Sequence, residues 1–169
     1  MDRAWREIIW NQFGAAIDTL ESTIHACPDE LWGDRSQRPE YWYIVYHTLF
    51  FLDFYLHDSG EEFAPPAPFN LDELDPAGIL PDRVYTKAEM LRYLEHGRGK
   101  CRATLVRLTD EKAAEIRRFG PVEGSFAESL LYTMRHVQHH SAQLILILRQ
   151  KIDSTPGWVS RTKQPLSVR

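Results

Sequence analysis

Cysteine is scarce in this chain: Cys27, in His-Ala-Cys-Pro, and Cys101, in Gly-Lys-Cys-Arg, are the two in 169 residues. Two are too few for a disulfide framework, and neither has the paired spacing of a metal or redox motif, so both read as ordinary thiols. Also missing is a run of roughly twenty unbroken apolar residues, the minimum for a membrane span, so a soluble chain with no membrane partner is expected. Residues Met1 to Trp10 lack the basic start and apolar run of a secretory signal, because Asp2 and Glu7 interrupt them; the cytoplasm is therefore the expected compartment. Excess positive charge is lacking too. The formal net charge of −4 argues against a general nucleic-acid binder, which needs a positive surface to neutralise phosphate.

What remains is 43% hydrophobic and 26% charged, the make-up of a globular chain, at a length that suits one domain with one core. The strongest punctuation is the Pro-rich, acidic stretch from Ser59 to Pro81, with Pro65, Pro66, Pro68, Pro76 and Pro81. Connections of that length act as functional covers or long crossovers, so this one is expected to run across an end of the fold.

Four helical segments surround it. The first spans about Asp2 to Ala26, with Trp5, Ile8, Ile9, Phe13, Ile17, Leu20 and Ile24 read as recurring at helical spacing and Pro28 ending the pattern. The second follows Pro39 and runs to about His57; its aromatic richness would also suit a strand, and its length favours helix. Thr86 with Glu89 forms a capping box that opens the third, which carries Met90, Leu91, Leu94, Leu105 and Leu108 and is weakened by Gly97 and Gly99. Ser125 with Glu128 opens the fourth, which carries Phe126, Leu130, Met134, Val137, Leu144 and Leu148 to about Gln150. The reading is all-α: a four-helix bundle over residues 1–150, with a long crossover between its second and third helices. Residues 151–169 are read as an irregular extension that Trp158 tacks down.

Seven histidines occur, and helical phase sorts them at about 100° per residue. With His136 as zero, the apolar stripe of the fourth helix centres near about 100°, His140 falls near about 40° and His139 near about 300°. His136 and His140 thus edge the apolar face, and His139 is excluded as a ligand. On the second helix His47 shares a side with Ile44, Phe51 and Tyr55, while Tyr46, Asp53 and His57 fall on the least apolar side. His25 and His96 read as solvated. Two histidines at i and i+4 plus one from a facing helix supply three nitrogens to a divalent ion and leave a position open for water or substrate. Imidazole suits zinc, nickel, copper and iron alike. An i,i+4 pair alone is a weak signal, because buried histidines often just find a carbonyl. Val137 stands where the metalloprotease pattern His-Glu-x-x-His has its glutamate, so that class is excluded.

The chain resembles the DinB/YfiT-like family of metalloenzymes over nearly its whole length to about Gln150. The likeness rests on Trp10-Asn11-Gln12-Phe13, Pro28-Asp29-Glu30-Leu31-Trp32, Tyr46-His47-Thr48-Leu49, Gly124-Ser125-Phe126 with Leu130, and His136-Val137-Gln138-His139-His140-Ser141-Ala142-Gln143-Leu144. The resemblance implies a divalent metal, zinc, nickel or iron, held at one end of a four-helix bundle by His47, His136 and His140. Arg-Gly is common in the family after the last ligand, and Ser141-Ala142 stands here instead. Relatives include S-transferases that use low-molecular-weight thiols and a maleylpyruvate isomerase, which implies a thiol cofactor attacking an electrophile, with hydrolysis as the variant.

No general base is fixed by the sequence. Tyr43, four residues before His47, and Gln143, three after His140, are the candidates for hydrogen-bonding near the metal. Two other readings compete with a small-molecule enzyme. One is a non-catalytic module that binds a metal or small ligand. The other is a metal-free structural homodimer, motivated by the aromatic surplus of the second helix, although burial under the long loop would absorb the same surplus.

Overall fold

The computed structural model describes residues 2–36, 38–57, 62–78, 80–119 and 121–166; Met1, Ser59 and 167–169 lie outside them. The described chain is mostly helical, and no helix in it is long and apolar enough to cross a membrane.

Helix α1, Arg3–Ala26, starts where the Asp2 side chain accepts from the Ala4 amide and buries Trp10, Phe13, Ile17, Leu20 and Ile24. Trp5 and Ile8, expected on that stripe, are 61% and 50% exposed. At about 100° per residue Ile8 stands roughly opposite the stripe and Trp5 well off it, so apolar character had been taken for phase. A short helix α2, Asp29–Trp32, follows Pro28, and the Trp32 indole donates to the Tyr85 carbonyl at 2.9 Å.

Helix α3, Tyr41–Tyr55, is covered on nearly every side. Tyr46 and Asp53, expected on its least apolar side, are 0% and 1% exposed. The covering comes from the next long helix, which meets Asp53, and from the crossover that leads to it: Phe69 stacks on Tyr46 at 5.9 Å, and Phe63 packs edge-on against Phe50 and Phe54. The aromatic surplus is thus absorbed within the chain, which removes the observation that had suggested a dimer. Asp53 is satisfied by Lys100 Nζ, with Tyr93 Oη and His96 Nε2 each at 3.3 Å.

Helix α4, Lys87–Arg107, opens with the full Thr86–Glu89 capping box. Gly97, expected to weaken it, is where α4 meets α3: a Cβ there would stand 2.8 Å from Leu52 Cδ2. Arg98, 2% exposed, pairs with Asp18, Glu21 and Glu95 and ties α4 to α1. Beyond α4 come α5, Asp110–Ala114, and an antiparallel hairpin of β1, Ile116–Phe119, with β2, Val122–Ser125, which pairs Ile116 with Ser125 and Phe119 with Val122. Helix α6, Phe126–Ile152, is capped by Ser125 Oγ, which accepts from the Glu128 amide.

The long helices α1 and α3 each pack against both α4 and α6. On α6 the buried Ser129, Thr133 and Ser141 return their hydroxyls to carbonyls of their own helix at 2.7–2.8 Å, which satisfies them and keeps that ridge low for close packing. Among the described residues after α6 there is no further helix or strand. The chain runs back along α1, where Thr162 N donates to Asn11 O, the Trp10 indole donates to Gln164 O, and Leu166 is buried. Trp158, expected to anchor this segment, is 81% exposed.

Candidate metal centre

The packing of α3 against α6 brings His47 to His136 and His140, which stand one turn apart on α6. One ring nitrogen from each lies within 4.8 Å of the others, a grouping that could hold a metal ion. His136 Nε2 is 3.3 Å from His47 Nε2 and 3.1 Å from His140 Nε2. His139, the neighbour excluded by helical phase, is exposed and outside the group.

The far nitrogens decide what the near ones present. His47 Nδ1 lies 2.7 Å from Glu73 Oε2, and Glu73 is 3% exposed. A carboxylate only accepts, so Nδ1 carries the proton and the Nε2 lone pair faces the group. His140 Nδ1 lies 2.7 Å from Gln143 Oε1, while the Gln143 amide nitrogen faces His139 Nε2 at 3.2 Å. His140 is thereby held in the same tautomer as His47. His136 Nδ1 is buried with no partner among the described residues. Burial first, and then the neighbouring histidines, push the His136 pKa from 6.5 down to about 3; burial also lowers that of His140. The His136 and His140 rings are therefore neutral, the form in which imidazole ligates metal.

Aromatic rings wall the group: Phe51 lies 4.8 Å from the His47 ring and 5.8 Å from that of His136, and Tyr55 lies 6.1 Å from His136. The His47 side chain keeps 29% of its surface exposed, so the group is reachable from solvent. A cleft of about 500 Å³ lined by Tyr132, Arg135, His136, Gln138, His139 and Ala142 borders it. Three ring nitrogens grouped together, two with fixed tautomers, fit a divalent ion that keeps an open coordination position.

Of the two candidates for hydrogen-bonding near the centre, Gln143 bonds a member of the group directly. Tyr43 sits 6.3 Å from the His47 ring and beside Glu73, where burial and that carboxylate raise its phenol pKa. His57 lies at the end of α3 against Phe63, and His25 is mostly exposed beside Glu21. His96, expected to be merely solvated, makes the bond to Asp53 described above. Cys27 is pushed up to about 12 by burial, and Cys101 is raised by the same cause, so both are protonated thiols at neutral pH. Glu73 is the residue that sequence reasoning missed. It lies 26 residues from His47 in the acidic stretch, and its only signal was membership of a loop expected to run across an end of the bundle.

Comparison with curated proteins finds no match. The DinB superfamily matches residues 12–144, a span that includes His47, His136 and His140. With most of its length inside that match, the chain belongs to the DinB superfamily.

Proposed function

We propose that this chain is a metal-dependent enzyme acting on small molecules, with His47, His136 and His140 holding one zinc, nickel or iron ion. The long helices α1, α3, α4 and α6 form a four-helix bundle that closes with α6 at Ile152, two residues past the expected boundary at 150, and the segment after it is an extension. The observation that carries the reading is the convergence of three Nε2 atoms, two of them with lone pairs aimed by Glu73 and Gln143. Bound there, a divalent ion supplies a Lewis acid that lowers the pKa of a coordinated thiol or water.

The chain's own residues do the rest. Glu73 and Gln143 hold the Nδ1 protons, while Phe51 and Tyr55 keep water from the buried side of the rings. The cleft beside His136 gives a small substrate room, and the exposed Arg135 at its edge suits an anionic group. Transfer of a low-molecular-weight thiol to an electrophile, or hydrolysis, is the chemistry this arrangement accommodates.

Elemental analysis of untagged protein, beside His47→Ala and His140→Ala, tests the reading. Near-stoichiometric zinc, nickel or iron that is lost in both variants supports it. Failure to take up any of these ions after equilibration sinks it. Metal uptake without turnover of thiol–electrophile pairs or hydrolysable substrates would make the chain a binding module.

A further inference from the structure

Glu73 is an uncomfortable residue if its only role is structural. It rides on the 3₁₀ turn Asp72–Leu74 in the crossover, yet its side chain is 3% exposed. One carboxylate oxygen bonds His47 Nδ1 at 2.7 Å, the other is buried with no hydrogen bond of ordinary geometry among the described residues, and the Tyr43 phenol is the carboxylate's other polar neighbour. Its ion-pair partner among those residues is His47, and no Lys or Arg stands against it. A buried, half-satisfied carboxylate is unfavourable unless positive charge compensates it. A cation on the opposite nitrogen of the His47 ring compensates it.

Resting on the metal reading above, we infer that Glu73 is a positioning residue for the centre and that it couples the crossover to the ion. Its carboxylate keeps His47 in the ligating tautomer and raises the basicity of Nε2. The turn that carries it is already docked: Tyr46 Oη donates to Asn70 O at 3.3 Å, and Phe69 stacks on Tyr93 at 4.3 Å. Seating the ion strengthens the last link of that chain of contacts, so the ion and the docked crossover stabilise each other by the same factor.

The experiment uses the full chain with zinc alone, its affinity measured against a competing chelator for wild type, Glu73→Ala and Glu73→Gln. Glu73→Ala is expected to weaken zinc binding about 10- to 100-fold. Glu73→Gln, which can still accept from Nδ1 through its amide oxygen, is expected to recover part of that loss. Metal-free Glu73→Gln should be at least as stable to urea as metal-free wild type, because it removes a buried charge. Zinc should also slow proteolytic cleavage between Glu62 and Pro81 in wild type, and slow it less in Glu73→Ala.

Unchanged zinc affinity in Glu73→Ala, with His47→Ala still abolishing binding, would overturn the inference and leave the metal reading standing. A large loss of metal-free stability in Glu73→Gln would also overturn it, by showing a structural role. Wild-type protein that takes up no zinc would overturn both.

Discussion

His139 and His140 are adjacent in the chain and opposite in fate. One faces solvent and accepts from the Gln143 amide; the other donates to the same side chain and turns its second nitrogen inward. His139→Ala should therefore keep its metal in elemental analysis, whereas His136→Ala should lose it. A metal-free His139→Ala would remove the assignment of ligands by helical phase. The depressed pKa of His136 carries a second expectation. The unfolded chain takes up a proton near 6.5, and the folded ring resists until about 3. The resulting stability is fully present above 6.5 and lost as pH falls through that window. The urea midpoint of metal-free protein should thus drop between about pH 7 and about pH 5, and His136→Gln should show a shallower drop. At this scale the three inward histidines were legible because a ligand at helical spacing needs only its own helix's phase. Glu73 was not, because which loop residue meets His47 depends on how the crossover folds back, and nothing local records that.

Helix ends illustrate the same division. Thr86 and Glu89 act within one turn, and both bonds of their box form as read. Thr86→Ala should cost about 1 kcal/mol in urea denaturation. Helix interiors are less transparent. Gly97 and Gly99 look alike in sequence, yet a Cβ at Gly97 meets Leu52 at 2.8 Å and one at Gly99 meets nothing within 4 Å. Gly97→Ala should destabilise by about 1–3 kcal/mol through overpacking. Gly99→Ala should stabilise by up to about 1 kcal/mol through helix propensity. Equal effects in thermal melts would deny the close α3–α4 approach at Gly97. The burial of Tyr46 and Asp53 was illegible for a related reason: a helical wheel shows which side is polar, but not that a crossover will roof Tyr46 or that α4 will meet Asp53. The hairpin escaped notice because its strands, Ile116–Phe119 and Val122–Ser125, are four residues each, too short for a period to emerge.

Across the whole molecule, the segment after α6 is held to α1 by small contacts rather than by an aromatic anchor. Thr162 fills the space over Gly14, where a Cβ would stand 2.6 Å from its methyl group. Gly14→Ala should lift that segment, speeding protease cleavage between Asp153 and Gln164 while leaving metal content intact; unchanged cleavage would mean that the segment is held elsewhere. The histidine group spans a longer distance in the chain, with His136 standing 89 positions after His47. At roughly 5–20 residues per second of synthesis, seconds pass between the emergence of His47 and that of His136. By then α1, α3 and α4 have left the ribosome, and α6, which brings two of the three nitrogens, comes last of the long helices. On the proposed reading, an ion held there would latch a fold whose helices meet first. Zinc added during refolding should accordingly leave the folding rate nearly unchanged and slow unfolding, which makes the ion a guardian of the protein's lifetime rather than a midwife to its birth.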